Sequence, residues 1–365
     1  MEAIINTRSP FYIKVTPTVG TIIDAEVEIY IYSGTFQSTP SSSDLKYTIT
    51  KSKIGSNNYV VFEISELIRD YILNDYYTGS TTTNCVWVQP KLTINYNYIS
   101  GQYTETPTPI NYLAVDGYGY FDEGANPVLD IGYMQSNTII YRPSDENIAI
   151  PVFRDNTNNT SVKYYNGSSL VYTVTVTATT NSLNKISYSG VPISPSAFNK
   201  VEVVSNYGSG NVTETINVYD LDCSKYTPIK VTFINKFGVL QELWFDKRSN
   251  ESIESSSNTY KASVMDFSTS TPSYNTSGHQ DVTLDLVGKE SIVMNTGYID
   301  ESFNEVFRQL MLSELVWMQD PDDSSSYLPL RPKTQSLQFK TRVNDKLVNY
   351  TVEFDFAFDK INTIR

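Results

Sequence analysis

Histidine and cysteine are nearly missing from this chain. Its 365 residues include one histidine, His279, and two cysteines, Cys85 and Cys223. A Ser-His-Asp triad or a multi-histidine metal site needs more partners than one loop histidine offers, so we interpret His279 as a solvated loop residue. Two thiols in a large chain made in the cytoplasm are usually buried and reduced, although the sequence leaves a disulfide between them open.

Charge and long apolar runs are also in short supply. Asp, Glu, Lys and Arg make up 18% of the residues, below the usual ~25%. The formal net charge of −13 argues against a broad basic surface for a nucleic-acid backbone. The sequence contains no uninterrupted apolar span of ~18 residues, so it predicts no transmembrane helix. Residues 1–15 lack the basic start and the apolar core of a signal peptide. We therefore expect synthesis in the cytoplasm, no membrane insertion and no sequence-specific nucleic-acid binding.

Motifs for catalysis and for metal binding are missing too. The glycines at 117 and 119 lack the third glycine and the lysine of a phosphate-binding loop. The acidic pairs at 220–222 and 320–323 lack the alternating oxygen ligands of a calcium loop, and we interpret them as solvated turns. A pair of carboxylates for glycoside hydrolysis stays possible, because the fold and not the sequence spacing brings such a pair together. The sequence predicts no catalytic residue, no cofactor and no metal.

The residues that are abundant favour strands and turns. Tyrosine alone numbers 28, and Tyr, Thr, Val and Ile favour strands, while Asn, Ser and Gly favour turns. Short alternating segments separated by turn signals predict a mainly β fold in three modules. These are a β-sandwich-like module with a short helix at 1–125, a second β-sandwich-like module at 126–224, and a tube-like β module with one packed helix at 225–365.

The last module has the clearest periodicity. A helix is predicted at about 300–313, followed by a C-terminal hairpin at 336–359. The apolar helix face consists of Phe303, Val306, Phe307, Leu310 and Met311. Asp300 can cap the first turn, and Ser302 with Glu305 offers an alternative capping box. The return strand of the hairpin places Val348, Tyr350, Val352, Phe354, Phe356 and Phe358 on one buried face.

Two segments are candidates for contacts with other molecules. The first, residues 112–123, interleaves glycine with aromatic residues. Tyr112, Tyr118, Tyr120 and Phe121 form either an aromatic contact surface or a turn whose rings cap the first core. The second is the Ser/Thr/Asn-rich stretch 255–277, which is predicted to be a mobile loop or an arm. The second module is rich in Thr and Ser and offers a polar face to a neighbour or a glycan.

Four segments resemble virion structural proteins of tailed bacteriophages, especially phages of Bacteroidetes hosts. They are SPFYIKV at 9–15, TFINKFGVLQELWFDKRS at 232–249, LMLSELVWM at 310–318 and VNDKLVNYTVEFDFAFDKINTIR at 343–365. The order of strands, helix and hairpin in the third module is similar to the tube-like fold of tail-tube and distal-tail proteins. That resemblance implies a ring in which each subunit's sheet adds to its neighbour's, with a helix packed outside.

The resemblance implies a tail or baseplate ring or adaptor subunit that acts by self-assembly and docking, without catalysis. Its partners would be copies of itself and other tail, baseplate or portal-vertex proteins, and its location the virion after synthesis in the host cytoplasm. Two alternatives stay open. One is a receptor- or carbohydrate-binding tail protein that takes a host surface glycan, and the other is a glycan-degrading tail enzyme.

Overall fold

A computed structural model of the chain shows a mainly β fold with several sheets. The structure describes residues 4–34, 36–74, 76, 84–127, 132–154, 160–176, 185–189, 193–207, 210–221, 225–268, 270–274, 276–334, 336, 338 and 347–361. Within these residues the sheets follow one another along the chain, and each large sheet has its own hydrophobic core.

The first module is built on a six-stranded sheet. Its elements are β1 (Ile4–Asn6), β2 (Tyr12–Val15), β3 (Thr21–Tyr32), β4 (Leu45–Ser52), β5 (Val60–Glu63), helix α1 (Ser65–Arg69), β6 (Cys85–Tyr98), β7 (Gly101–Glu105) and β8 (Tyr112–Val115). The sheet order is β1-β8-β6-β3-β4, with β7 also on β6, while β2 and β5 form a separate pair. Alternate residues of β3, among them Ala25, Val27 and Ile29, are fully buried because one sheet face covers the core.

The second module has a five-stranded sheet and a two-stranded one. Its strands are β9 (Ile139–Arg142), β10 (Ile150–Arg154), β11 (Thr160–Asn166), β12 (Ser169–Val176), β13 (Lys185–Ser189), β14 (Lys200–Tyr207) and β15 (Gly210–Asp220). The larger sheet runs β12-β11-β14-β15-β9, and β10 pairs with β13. Gly167 has φ 60° in the turn between β11 and β12, as the Asn-Gly sequence there predicts.

The third module is a seven-stranded antiparallel sheet with one packed helix. Its elements are β16 (Ile229–Ile234), β17 (Leu240–Phe245), β18 (Asn250–Lys261), β19 (Met265–Asp266), β20 (Ser273–Tyr274), β21 (Asp281–Asp300), helix α2 (Phe303–Leu312), β22 (Val316–Gln319), β23 (Tyr327–Pro332) and β24 (Leu347–Phe356). The sheet order is β17-β16-β22-β23-β24-β21-β18, so β17 and β18 are its two edges. β19 and β20 pair separately.

Helix α2 covers the apolar face of this sheet. Phe303, Val306, Phe307 and Leu310 are buried, as the periodicity predicts. Each fully buried side chain of this kind contributes roughly 1.5–3 kcal/mol. Met311 is only partly buried, and Gln309 is fully buried instead. The predicted capping box is wrong, since Ser302 makes no side-chain cap, whereas the Asp300 carboxylate accepts the Ser302 amide at 2.9 Å.

The final strand β24 lies between β21 and β23. Val348, Tyr350, Val352 and Phe354 are at most 2% exposed, so the alternation identifies the buried face correctly. Phe356 is partly buried, and Phe358 lies beyond the strand with 41% exposure, so the buried face ends earlier than predicted. Most of the other predicted hairpin strand, which precedes residue 347, lies outside the described residues.

A shared cluster packs the modules against one another. It takes Leu113 and Val115 from the first module, Met134 and Phe153 from the second, and Val239 from the third, all at most 3% exposed. The Asn235 side chain donates to the Met134 carbonyl at 2.8 Å beside this cluster. Because apolar surface from three modules is removed from water at one place, their separation would expose it.

Candidate contact site

The aromatic segment 112–123 leaves β8 and crosses onto the third module. Gly117 passes beside the turn between β16 and β17, where an added Cβ would lie 2.9 Å from the Lys236 carbonyl oxygen. That distance is too short for a side chain, so the backbones approach only with glycine. The Tyr118 amide donates to the same oxygen at 2.9 Å. The segment is therefore a backbone joint between two modules.

Two of the four candidate rings face inward. Tyr112 packs against Phe11 in the first core, edge to face, with ring centroids 5.4 Å apart. Tyr118 is 8% exposed, and the Arg8 guanidinium lies 4.9 Å from its ring centroid. Burial is the main cause that raises the pKa of Tyr118 to about 12. Both rings belong to the packed interior.

Tyr120 connects the segment to helix α2. Its hydroxyl donates to the Glu305 carboxylate, and the Lys236 ammonium lies 4.4 Å from its ring centroid. Burial raises the pKa of Tyr120 first of all, and the Glu305 carboxylate raises it further. Glu305 also accepts from Arg308 at 2.6 Å and from Gln309 at 2.9 Å. The phenol thus fixes the helix against the first module.

Phe121 differs from the other three rings because it is fully exposed. It opens the 3-10 turn Phe121–Glu123, which the Glu123 carboxylate closes by accepting the Tyr120 amide at 3.0 Å. The structure therefore does not bring the four candidates together as one outward surface. Three of them pack within the protein, and one projects into solvent.

Charged side chains reinforce the joint a few residues away. Arg69 at the end of α1 donates to Asp116 at 3.1 Å and to Glu314 at 2.7 Å. Glu314 follows α2 and also pairs with Arg8 at 3.3 Å. The Asp116 side chain is 3% exposed and accepts from Asn74 at 2.7 Å as well. A buried carboxylate with these donors ties the first module to the end of the α2 helix.

A two-stranded arm, residues 253–290, is the most exposed part of the third module. β24 covers β21 only from Ser291 onwards, so β21 before that point has β18 as its strand partner among the described residues. All twelve residues of β18 are exposed. The composition predicts a mobile loop or an arm at 255–277, and the structure has an arm whose first part is regular strand.

Apolar side chains are exposed on this arm. In β21, Leu286 shares the alternation of the core residue Ile292 and is 45% exposed, and Leu284, the extra residue at the bulge opposite Asn258 and Thr259, is 73% exposed. On β18, Ile253 is 62% exposed and pairs with Glu290 on the same face as Leu286, whereas Tyr260, which is 51% exposed, lies on the opposite face. The core face of the third sheet thus continues past the part that β24 covers, and apolar side chains on it are exposed among the described residues.

The two edges of the third sheet have different surroundings. β17 is buried along nearly its whole length, and Gln241 on it donates to Asn137 of the second module at 3.0 Å. Leu243 and Trp244 line a small cavity of about 20 Å³ together with Ile140 and Ala149. The second module therefore covers the β17 side, while the β18 side is open.

The residues whose side chains could take part in catalysis or metal binding are scattered over the described structure. His279 is exposed, Asp220 pairs with the buried Arg142 at 3.4 Å, and Asp222 lies outside the described residues. Asp320 and Asp323 accept backbone amides of their own turn at 3.0 Å. Across the described part of the chain, no group of three or more His, Cys, Asp or Glu could hold a metal ion.

Cys85 is mostly buried, which raises the pKa of its thiol to about 11, and Cys223 lies outside the described residues. Among the described helices, none is long and apolar enough to cross a membrane. No protein-family model matches the chain, and no curated protein matches it significantly. Within the described residues, the exposed arm and the β18 edge are therefore the features that indicate contact with another molecule.

Proposed function

We propose that this chain is a virion structural protein of a tailed bacteriophage, a tail or baseplate ring or adaptor subunit that works by self-assembly and docking. The observation that carries the proposal is the arm with its open β18 edge. A strand of 12 residues spans about 40 Å, and no described strand pairs with the backbone donors and acceptors along its outer side. In a monomer such an edge is a liability, whereas in an assembly it is an interface.

The apolar face of the arm supports the same function. Leu286 and Ile253 are exposed on the same face of the paired strands β18 and β21, and Leu284 is exposed at the β21 bulge. Exposed apolar patches are typical of sites that another protein covers. The partner in this proposal is a second copy of the chain, and the further partners are other tail, baseplate or portal-vertex proteins.

The contacts between the modules are consistent with a subunit whose modules keep a fixed relative orientation. The shared apolar cluster, the joint at Tyr118 and Tyr120 and the ion pairs around Arg69 hold the modules together. A subunit that repeats in a ring needs a fixed angle between its contact surfaces, because a heterologous interface closes only at a defined rotation.

The experiment substitutes the exposed leucines of the arm. Leu284→Ser with Leu286→Ser is expected to leave the monomer folded, because both side chains are exposed. Each of the two lost contacts weakens association by roughly 1–2 kcal/mol, so the dissociation constant rises about 30- to 1000-fold. The matched control is Leu170→Ser with Val171→Ser on β12, which are 56% and 41% exposed. Sedimentation that shows the same oligomer for both variants and wild type contradicts the arm as the contact.

A second candidate is a carbohydrate-binding tail protein, which the β6–β7 hairpin favours. Tyr96 and Tyr103 stack with centroids 5.9 Å apart, and Tyr98 lies 6.5 Å from Tyr103. Tyr98 and Tyr103 are 42% and 49% exposed, so their rings offer a platform on which a sugar face can stack. Ile99 at the turn has φ 54°, which is costly for a β-branched residue and marks a constrained tip.

The test of this candidate is glycan-array binding by the full chain. Binding that disappears in Tyr98→Ala and Tyr103→Ala but persists in Tyr219→Ala, which alters a 49% exposed tyrosine elsewhere, supports it. Absence of binding to host surface glycans, together with ring formation, removes it.

A further inference from the structure

We infer that β18 of one copy adds as an antiparallel strand to the β4 edge of the next copy. This inference rests on the proposed ring function, because it names the surface that receives the open edge. The occupant is a second copy of this chain.

The third sheets of two copies cannot join edge to edge. Such a ring would need β18 of one copy to lie beside β17 of the next. β17 is buried, and the second module covers it through the contact between Gln241 and Asn137 and the cavity at Leu243 and Trp244. An incoming strand would have to displace that module. The receiving edge therefore belongs to another sheet.

Two long edge strands remain in the other large sheets, and they differ in charge. β4 ends the first sheet and carries Lys46 and Lys51, with no acidic residue in the strand. β12 ends the sheet of the second module and carries no charged residue at all. β18 carries Glu251 and Glu254 in its regular part and its one lysine at the far end. Opposite charges therefore favour β4 over β12 as the receiving edge.

The charges on both edges lack ionic partners among the residues that the structure describes. The Lys46 and Lys51 ammonium groups donate to the carbonyls of Ser43 at 2.8 Å and Val61 at 3.1 Å. Glu251 and Glu254 are exposed, and no described cation lies within salt-bridge distance of either one. Like charges would meet if β18 paired with its own copy near these glutamates, and that arrangement is unfavourable.

One register satisfies both charge pairs. If Glu251 lies opposite Lys51, then Ile253 lies opposite Ile49 on the same face, because antiparallel partners move in opposite directions. On the other face Glu254 lies opposite Thr48, and Lys46 follows in the β4 bulge beyond Tyr47, within reach of these long side chains. The overlap is regular from Ser52 to Tyr47 of β4, opposite residues 250–255 of β18, and it reaches the β4 bulge at Lys46 before the β18 irregularity at Asn258.

The same register extends an apolar layer. Ile49 is partly buried and packs against the first core, while Ile253 is 62% exposed. Placing them side by side covers an exposed isoleucine at the rim of an existing core. The contact joins two different edges, so it is heterologous and generates a ring or an open chain of subunits.

Charge reversal tests the pairing in the full-length protein. One variant carries Glu251→Lys with Glu254→Lys, and another carries Lys46→Glu with Lys51→Glu. A third combines all four substitutions. Each two-site variant is expected to raise the dissociation constant of the assembly at least tenfold, as measured by mass photometry. The four-site variant is expected to return within about threefold of wild type, because the pairs are re-formed with reversed sign.

Cysteine pairs test the register. Ser252→Cys with Thr50→Cys places thiols on opposed positions and is expected to give a ladder of cross-linked subunits under oxidation. Ser256→Cys with Thr50→Cys is out of register by four residues, about 13 Å, and is expected to give none. Melting temperatures close to that of wild type show that each variant folds.

The outcomes separate this inference from the function that it deepens. Wild-type rings together with unchanged assembly of both two-site variants overturn the β18–β4 pairing and leave the ring function standing. Loss of assembly in the β18 variant alone also overturns it, and points to pairing of β18 with another edge. A wild-type chain that stays monomeric at all concentrations overturns both the pairing and the ring function.

Discussion

Single side chains at the joint show how burial and charge cooperate. Tyr120 donates to a carboxylate on α2, and Tyr118 lies under the Arg8 guanidinium. Both phenols are kept neutral because burial disfavours the phenolate. Both rings bury apolar surface, and the Tyr120 hydroxyl keeps a polar neighbour at the module boundary. A residue of this type is suited to a joint that must be both packed and hydrogen-bonded.

The raised pKa of Tyr118 predicts how stability changes at alkaline pH. An unfolded tyrosine ionises near pH 10, whereas burial raises the pKa of Tyr118 to about 12 in the folded chain. The contribution of this group to stability is therefore complete below pH 10 and is lost between pH 10 and 12. Tyr118→Phe should make the urea-unfolding free energy fall less steeply over that window. An equally steep fall in the variant would show that Tyr118 ionises normally in the folded state.

Phe354 gives the clearest test of a buried position. It is fully buried and lies 6.1 Å from Phe245 and within the core under α2. Phe354→Asp forces a carboxylate into that core at a cost of several kcal/mol, so we expect loss of soluble folded protein. Thr351→Asp is the matched control, because Thr351 is exposed on the same strand. Normal solubility and melting of Phe354→Asp would mean that the face is assigned wrongly.

Strands and turns show which parts of the fold follow from local sequence. The alternation of β24 and the Asn-Gly turn between β11 and β12 are local signals, and the structure has both. Pro90 is a local signal that misleads, since it suggests a break where β6 continues from Cys85 to Tyr98. On the side of β6 that faces away from β3, β8 pairs with residues up to Val88 and β7 pairs with residues from Ile94 onwards. Pro90 lies in the gap between these two partners, so its missing amide costs no hydrogen bond on that side.

The arm and the joint depend on distant partners, which local sequence does not reveal. Ser255, Ser256 and Ser257 have weak strand propensity, yet the long strand β21 pairs with each of them. The sequence singles out Tyr120 as aromatic, but its carboxylate partner Glu305 is 185 positions away. Gln309 likewise replaces an apolar residue on the buried helix face because it bonds the Lys236 amide at 3.2 Å. Alternation predicts burial, and tertiary contact decides the partner.

Hydrogen exchange reports on the β18 edge directly. Amides of β18 that point away from β21 have no strand partner in the described chain, so they should exchange within seconds in dilute monomer. In the assembly, those in residues 250–257 should slow by at least tenfold, while residues 258–261 change less. β12, another exposed edge strand, is the internal control. Equal exchange of residues 250–257 at low and high concentration would contradict strand addition at this edge.

The whole molecule behaves as one unit because its modules share buried contacts. The apolar cluster takes residues from all three modules, and Arg69 bridges Asp116 and Glu314 across the joint. Interfaces of this kind limit relative motion of modules. The chain therefore presents its open β18 edge and its β4 edge in a fixed relation, and that relation sets the symmetry of any ring.

Arg69→Ala tests this coupling. Removing the guanidinium leaves the buried Asp116 with the Asn74 side chain as a donor at 2.7 Å and breaks the contact with Glu314. We expect a loss of about 1–3 kcal/mol in the free energy of unfolding. Lys333→Ala removes an exposed pair with Glu353 and should have a much smaller effect, because solvent screens that pair. Equal effects of the two substitutions in urea titrations would show that the joint adds no stability.

Negative-stain microscopy of the purified full-length chain, across a range of concentrations, shows most directly whether these sheets are completed by other copies. Closed rings of uniform diameter, which dissociate into monomers when Leu284 and Leu286 are both changed to serine, are the expected result. Isolated compact particles at every concentration, with melting temperatures that do not depend on concentration, would contradict self-assembly as the work of this protein.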